Sequence, residues 1–381
     1  MRIFYICYEN LSLQRASTTH IKEVTEHLKK FGNDVVLFAP KTGGYRSKTS
    51  VHVVYVPTLK IRFFEEYIYY VCLLFYLFAY QIRLKADIFY VREMGLSIIP
   101  TLVGLVLQVP HVLEINGIPT VDLEGMGRYL LKHKIFGFFQ YINFILAQKI
   151  ISVSENIKLE VLKTHKDAQK ISVIENGVNA ALFYPKDKNK IRDLLKLDQD
   201  CYYIIFVGSF YPHHGVHNII HILNHVIQKL PNVKLLMIGR GYLLESTIHL
   251  TKKLELTSHV DFIGEVEYEH IPNYINAADA GIFILTDIGK IYGKSLKLYE
   301  YMACERPVIT GESCGHFVRE NNIGIVIQEE DYQQAANVIV NLLKDNERMN
   351  TMGKNGRKLV MNSFTWDITT KKILGVCQTV I

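Results

Sequence analysis

The chain has 381 residues, 49% of them hydrophobic and 21% charged, with a formal net charge of +6. That length exceeds what one hydrophobic core usually fills, so two domains are expected. A composition without low-complexity runs excludes a disordered or fibrous chain, and so mild a charge admits an anionic surface or substrate without singling out nucleic acid. The six cysteines, Cys7, Cys72, Cys201, Cys304, Cys314 and Cys377, are scattered. Their spacing fits reduced thiols in a cytosolic protein better than a disulfide framework or a metal knuckle.

In chain order, Met1-Arg2 leads into IFYIC, a run too short and too poorly flanked for a signal peptide. The runs RIFYIC, DVVLFA, VHVVYV, DIFYV, HVLEI, KIISVS and KISVIENG then read as strands. Between the first two lies a helix with Ile21, Val24, Leu28 and Phe31 on one face, closed by Gly32. The apolar stretch Tyr67 to Tyr80 falls short of the roughly 20 residues of a membrane span. Together with GRYLLKHKIFGFFQYINFILAQK it reads chiefly as core helices covering the first sheet. The alternative is a pair of basic amphipathic helices lying on an anionic membrane through Lys60, Arg62, Arg83, Lys132 and Lys134.

A charged stretch, Tyr184 to Asp200, marks the expected boundary, giving domains at 1–190 and 191–365 and a final helix at 366–381 that packs back on the first domain. YYIIFVG, VKLLMIG, VDFIG, AGIFIL, RPVIT and IGIVIQ supply a second strand series with helices between. Continuous apolar strands alternating with helices mean parallel sheets covered on both faces. The fold class is therefore α/β, with two Rossmann-like domains and a ligand site in the cleft between them, outside the carboxyl ends of the strands.

Several residues gather at those ends. Gly208 and Ser209 follow a strand directly, as do Gly239 and Gly264, and small residues there let a ligand approach the backbone. A helix opening at Ser295 offers a capping hydroxyl and free N–H groups, an anion site. Lys297 stands beside it, and Glu300 lies one turn, about 4.5 Å, further along the same face. That is the step from a diphosphate to a ribose whose hydroxyls a carboxylate accepts; the same spacing also serves a solvated surface pair. His213, His217, His221 and His225 recur every four residues with no carboxylate or cysteine beside them. They read as a solvent-facing stripe and not as a metal site, while His214, off the stripe, is a donor-site candidate.

SLKLYEYMACERPVIT is similar to the SPLKLFEYMAAGRPVVA signature of the family 4 retaining glycosyltransferases, the large group with the GT-B fold. RASTTHIKEVTEHLKKFGNDVVLFAP, FYVREMG, PHVLEINGIP, SVSENIK, VIENGVNAALFYP, FVGSFYPHHGV and VKLLMIGRG follow the family in order, so the resemblance covers nearly the whole chain. It implies an enzyme that transfers a sugar from a nucleotide-diphosphate donor, UDP-linked in preference, to a carbohydrate acceptor in surface polysaccharide or glycolipid synthesis. Glu300 would hold the ribose, Lys297 with the N–H groups of Ser295 and Leu296 the diphosphate, and the backbone at Glu265 and Val266 the base.

Tyr292 stands where many members place a second, sugar-contacting glutamate. Ser209 and His214 stand where many place arginine and lysine. Asn116 takes the place of a histidine near the reacting sugar, so with Lys297 it is the candidate catalytic residue. Arg92, Glu114 and Glu124 are candidates for acceptor hydroxyls or for structural ion pairs. The resemblance implies no cofactor and no metal; the scattered cysteines and mild charge suggest a cytoplasmic protein without a nucleic-acid partner, and the basic aromatic helices leave peripheral membrane contact as the alternative. The rivals are a nucleotide-sugar 2-epimerase of the same fold and an inactive nucleotide-binding partner subunit.

Overall fold

The computed structural model describes residues 1–13, 15–42, 49–59, 64–93, 97–117, 130–286 and 293–381, with the backbone alone for 130–136. The chain divides into two compact units, Met1–Asn176 with Trp366–Ile381, and Gly177–Thr365. The division falls between Asn176 and Gly177, ahead of the charged stretch expected to mark it. Val178 forms a bridge with Thr365, and Phe183 is fully buried in the second core, so the segment before residue 190 belongs to the second unit. The charged stretch lies inside the second unit; hydrogen bonding and burial set the boundary.

The first unit runs β1 (Arg2–Ile6), α1 (Ala16–Lys30), β2 (Asp34–Pro40), β3 (His52–Val56), α2 (Glu65–Leu84), β4 (Ile88–Arg92), α3 (Ile98–Leu107), β5 (His111–Ile115), α4 (Leu130–Leu146), β6 (Lys149–Ser152), α5 (Glu155–Thr164) and β7 (Ile171–Val173). Among the described residues these strands make a seven-stranded parallel sheet in the order β3-β2-β1-β4-β5-β6-β7. β1 is central and buried on both faces. Its Phe4 ring stacks on Phe89 of β4 at 5.7 Å and its Tyr5 ring on Tyr90 at 5.0 Å. Chain direction reverses across the sheet between β1 and β4, the place where sheets of this kind take ligands.

Right-handed crossovers put α2, α3 and α4 in one layer, with α2 against α3 and α3 against α4. α1 covers the other face, burying Ile21, Val24 and Leu28 as its spacing predicts, and packs against the final helix, Trp366–Gln378. That helix buries Trp366 and Cys377 and pairs Asp367 with Lys30 at 2.7 Å.

The second unit contains α6 (Lys188–Leu195), β8 (Tyr202–Val207), α7 (Val216–Ile227), β9 (Val233–Ile238), α8 (Leu244–Lys253), β10 (Val260–Gly264), α9 (Ile271–Ala277), β11 (Ala280–Phe283), α10 (Leu296–Ala303), β12 (Val308–Thr310), α11 (Gly315–Glu320), β13 (Gly324–Val326), α12 (Tyr332–Leu343) and α13 (Asn346–Ser363). The final helix is α14. Among the described residues the sheet has six parallel strands in the order β10-β9-β8-β11-β12-β13, with the reversal between β8 and β11.

α10 is buried along its whole length, because α13 lies across it. Arg357 of α13 donates to the Ala303 carbonyl at 2.8 Å, closing the C-terminal end of α10. Charged side chains on such a helix find solvent only at its mouth.

Two sequence expectations change here. The Tyr67–Tyr80 run sits within a twenty-residue helix, which is long and apolar enough by composition to cross a membrane. Nor is α2 chiefly a core helix: only Tyr69, Tyr70, Leu73 and Leu77 are buried. The histidines on α7, His217, His221 and His225, are partly exposed on its outer side. His217 lies 3.0 Å from the Ser246 hydroxyl, and His221 stacks on Tyr332 at 5.0 Å. Among the described residues no group of three potential ligands is placed to hold a metal ion.

Candidate active site

The carboxyl ends of β8 and β11, on either side of the reversal point, converge on the mouth of α10. Lys297 reaches back over them from the first turn of the helix. Its ammonium lies 4.8 Å from the Phe206 ring centroid, at the end of β8, and 5.3 Å from that of Phe283, at the end of β11. The aromatic faces attract the cation but accept no ordinary hydrogen bond. Lys297 is 7% exposed, and among the described residues its Nζ has no hydrogen-bond partner. Burial lowers its pKa to about 7, with the Glu300 charge pulling the other way.

A cation buried at such cost, with no hydrogen-bond partner among the described residues, is one that an anion could satisfy. Glu300, three residues on, is 6% exposed, and Gly293, Lys294 and Ser295 at the helix tip are half-buried.

Ser295 occupies the cap position in extended conformation, but its hydroxyl makes no capping bond, contrary to the sequence expectation. Its Oγ is buried and, among the described residues, unpartnered. The helix tip is thus left with a free hydroxyl and with the Leu296 and Lys297 amides, which as first-turn donors have no carbonyl within the helix.

Gly208 follows β8 directly at φ 156°, and a Cβ there would stand 2.5 Å from Lys297 Nζ. Gly239, at the end of β9, has φ 126°, and its Cβ would stand 2.0 Å from the Gly208 carbonyl oxygen. The two glycines fit into one another and together make the seat of Lys297.

Ser209 and His214 meet at the same edge. His214 Nδ1 donates to the Ser209 carbonyl at 2.6 Å and lies 3.2 Å from its hydroxyl. Burial, then the nearby Lys297 charge, then His213 hold the His214 pKa well below the usual histidine value, so the ring is neutral at pH 7. Glu265, just beyond β10, pairs with Arg240 at 2.6 Å in a partly exposed ion pair.

In the first unit the residues at the carboxyl ends of β4 and β5 form a saturated network around Glu114, which is 1% exposed. Its carboxylate accepts from Tyr90 at 2.5 Å and Arg92 at 3.2 Å, lies 2.6 Å from His20 Nε2, and takes a bond from the Asn116 amide nitrogen. Burial alone would push its pKa up, but His20, then Arg92 and Asn116, outweigh it and hold the group at about 2. His20 comes from α1; its other ring nitrogen lies 2.7 Å from Asn176 Oδ1, and its ring meets Trp366 of α14 edge-on at 5.3 Å. Asn116 Nδ2 spends one of its two N–H groups on Glu114.

Two family models divide the chain between them. Residues 17–182 match that of Glycosyltransferase Family 4 and residues 172–359 that of Glycosyl transferases group 1. The chain belongs to the family 4 glycosyltransferases. Among relatives of this glycosyltransferase, the capsular polysaccharide biosynthesis glycosyltransferase CapM of Staphylococcus aureus is 26% identical over 292 residues, 74% of each chain. A GDP-mannose-dependent monoacylated phosphatidylinositol monomannoside mannosyltransferase of Corynebacterium glutamicum is 27% identical over 212 residues, 54% of this chain and 55% of its own. Anabaena HepE, solved in complex with UDP and glucose, superposes over the full length of both chains with a TM-score of 0.78 at 15% identity, a likeness of fold. The two Rossmann-like domains expected from the strand series, and the GT-B fold that the resemblance implied, are thus the fold of this glycosyltransferase.

Within the glycosyltransferase the structure brings Gly208, Ser209, His214, Gly239, Ser295, Leu296, Lys297 and Glu300 to the strand ends around α10. It brings Arg92, Glu114 and Asn116 together in the first unit. Val266 follows Glu265 beyond β10. Tyr292 and Glu124 lie outside the described residues, as do Lys60 and Arg62 and the side chains of Lys132 and Lys134. The sequence reading missed Phe206, Phe283 and His20. The first two look like ordinary strand residues, and His20 sits over ninety residues from Glu114, so no spacing could have joined them.

Proposed function

We propose that this glycosyltransferase moves a hexose from a UDP-linked donor to a carbohydrate acceptor with retention at the anomeric carbon. We take the acceptor to be a surface polysaccharide or its lipid-linked precursor, met in the cytoplasm at the membrane's inner face. The observation that carries the donor side is the buried Lys297 ammonium, unpartnered among the described residues, beside the half-open tip of α10. A diphosphate would accept from it and from the Leu296 and Lys297 amides, giving that cation its missing partner. Protein groups then neutralise the diphosphate, so the reading needs no metal ion. Glu300, one turn deeper, takes the ribose hydroxyls.

The backbone at Glu265 and Val266 would meet the base. The Glu265 carboxylate is exposed and pairs with Arg240 through one oxygen. HepE holds UDP, whereas the Corynebacterium relative is named for GDP-mannose, so both nucleotides belong in the test. The names of CapM and of that mannosyltransferase, a capsule enzyme and a phosphatidylinositol enzyme, support a surface-glycan or lipid-linked acceptor.

Retention is supported by the two residues expected to meet the acceptor, while Glu93, just beyond β4, is the carboxyl that burial holds at a pKa of about 7. An inverting transfer needs a base. Asn116 is an amide, and Glu114 is saturated and held near 2, too weak to take a proton at neutral pH. The acceptor proton would pass to the leaving phosphate, while Asn116 Oδ1 accepts from a sugar hydroxyl.

Calorimetry with UDP, GDP and ADP tests the donor side. Glu300→Ala should weaken UDP binding by about 1.5–3 kcal/mol, roughly ten- to 150-fold; unchanged affinity would remove Glu300 from the site. NMR of the anomeric proton before and after transfer reads the stereochemistry. Donor converted without any acceptor would instead mark an epimerase, and nucleotide binding without turnover a partner subunit.

A further inference from the structure

Buried side-chain polar atoms without a hydrogen-bond partner are rare in folded proteins, and each calls for a reason. Among the described residues of the second unit they are Ser295 Oγ, Lys297 Nζ, Thr310 Oγ1 and Ser313 Oγ. All lie in the stretch of chain that forms α10, β12 and the turn after it. The donor reading accounts for the first two. Thr310 and Ser313 have no role in it.

The fold turns Thr310 toward α10. Side chains alternate between the faces of a strand. In β12, Val308 packs into the core that holds Leu298, Tyr299 and Met302 of α10, while Ile309 packs into the core on the other face of the sheet. Thr310 therefore points the same way as Val308. It also pairs in register with Phe283 of β11, whose ring lies under the Lys297 ammonium. Thr310 is fully buried, and a hydroxyl kept from water without a bond is a standing cost to the ligand-free protein.

Ser313 sits in the short turn Glu312–Cys314 just beyond β12. Gly311, between the two hydroxyls, leaves room for the Glu329 carboxylate; a Cβ there would stand 2.5 Å from its Oε2. Arg319, at the same turn, is already paired with Glu312 at 2.6 Å. Two hydroxyls and a carboxylate oxygen, with the nearby cation spent, suit a neutral ligand whose own hydroxyls donate and accept. A second phosphate would find no free positive charge there.

Strand order supplies the direction. In the donor reading the base lies beyond β10 and the diphosphate at the mouth of α10, between β8 and β11. The order β10-β9-β8-β11-β12 makes β12 the next strand past the diphosphate, on the side away from the base. Neighbouring strands stand about 4.8 Å apart, so the group carried on the far side of the diphosphate arrives at Thr310.

We propose that Thr310 Oγ1, with Ser313 Oγ three residues on, bonds hydroxyls of the transferred sugar and so sets which sugar this glycosyltransferase accepts. The inference rests on the donor reading above. A site built to bond a hydroxyl discriminates strongly against a donor that lacks it, because its own buried groups are then left unpaired.

Thr310→Val keeps the shape of the side chain and removes only the hydroxyl. Calorimetry of the parent and this variant with UDP, UDP-glucose, UDP-galactose and UDP-N-acetylglucosamine tests the proposal. Thr310→Val should bind UDP as the parent does and lose about three- to tenfold in affinity for the sugar donor that the parent prefers. Its melting temperature without ligand should hold or rise, since the hydroxyl removed had no partner. Ser313→Ala should repeat the pattern. A fall in the melting temperature of Thr310→Val would give its hydroxyl a bond within the protein and overturn the proposal. Equal losses for UDP and for the sugar donor, or no loss for any donor, would overturn it as well while leaving the nucleotide reading intact. Binding of GDP in place of UDP would end the uridine reading alone, and GDP against GDP-mannose then makes the same comparison. Binding of neither nucleotide would remove the donor reading and this inference with it.

Discussion

Lys297 concentrates the physics of the donor site in one side chain. Its pKa near 7 in the folded protein, against 10.5 in an exposed lysine, means the unfolded chain binds more protons between those values. Stability should therefore rise with pH across that window. Thermal melts of the ligand-free protein from pH 7 to 10 should show this rise relative to Lys297→Met, which has no proton to lose; parallel curves would contradict the burial. Binding has the opposite sign. A diphosphate favours the charged ammonium, so UDP affinity should be flat below pH 7 and fall as pH rises above it. Lys297→Arg, always charged, should flatten that dependence, and calorimetry in buffers of different ionisation heat should detect proton uptake near pH 8. The pattern Lys297 and Glu300 was plain in the sequence. That the lysine is buried over two phenyl rings was not, because Phe206 and Phe283 arrive from strands far apart in the chain.

At the scale of elements, the second unit brings β8, β9 and α10 into one interlocked corner. Gly208→Ala, also at a positive φ, drives a methyl into the flexible end of Lys297; UDP affinity should drop, and the stability cost should be the backbone strain without a rigid clash. Gly239→Ala drives a methyl into the rigid Gly208 carbonyl at a positive φ. It should cost about 1–3 kcal/mol of stability or more, read by denaturant unfolding. Equal effects of the two substitutions on stability would refute this division of roles. The strands were legible because burial on both faces leaves an almost unbroken apolar run. The helices were less so. α2 carries a continuous apolar stretch whether it is buried or exposed, so composition pointed to the core while the fold left its outer side uncovered.

For the whole molecule, the two units differ in how the chain builds them. The second is one continuous segment with its own core, whereas the first needs its last helix, which returns after the second is complete. Residues 177–365 alone should therefore fold cooperatively, while residues 1–176 alone should not, as circular dichroism melts would show. Trp366, fully buried on α14, carries much of that dependence: Trp366→Ala should destabilise the first unit by about 3–5 kcal/mol. A melt unchanged by that substitution would mean α14 is an appendage.

By itself the sequence determined the two parallel sheets, their strand series and the helix whose mouth carries Lys297 and Glu300. These follow from local periodicity and from residues a turn apart, which the chain states directly. The tertiary structure alone decided that Glu114 is a saturated hub with His20 and Arg92, and that Asn116 donates to it. It alone placed the unit boundary at Asn176 and left an apolar helical layer facing outward. Each depends on which distant segments meet, and burial, unlike periodicity, is a property of the assembled chain.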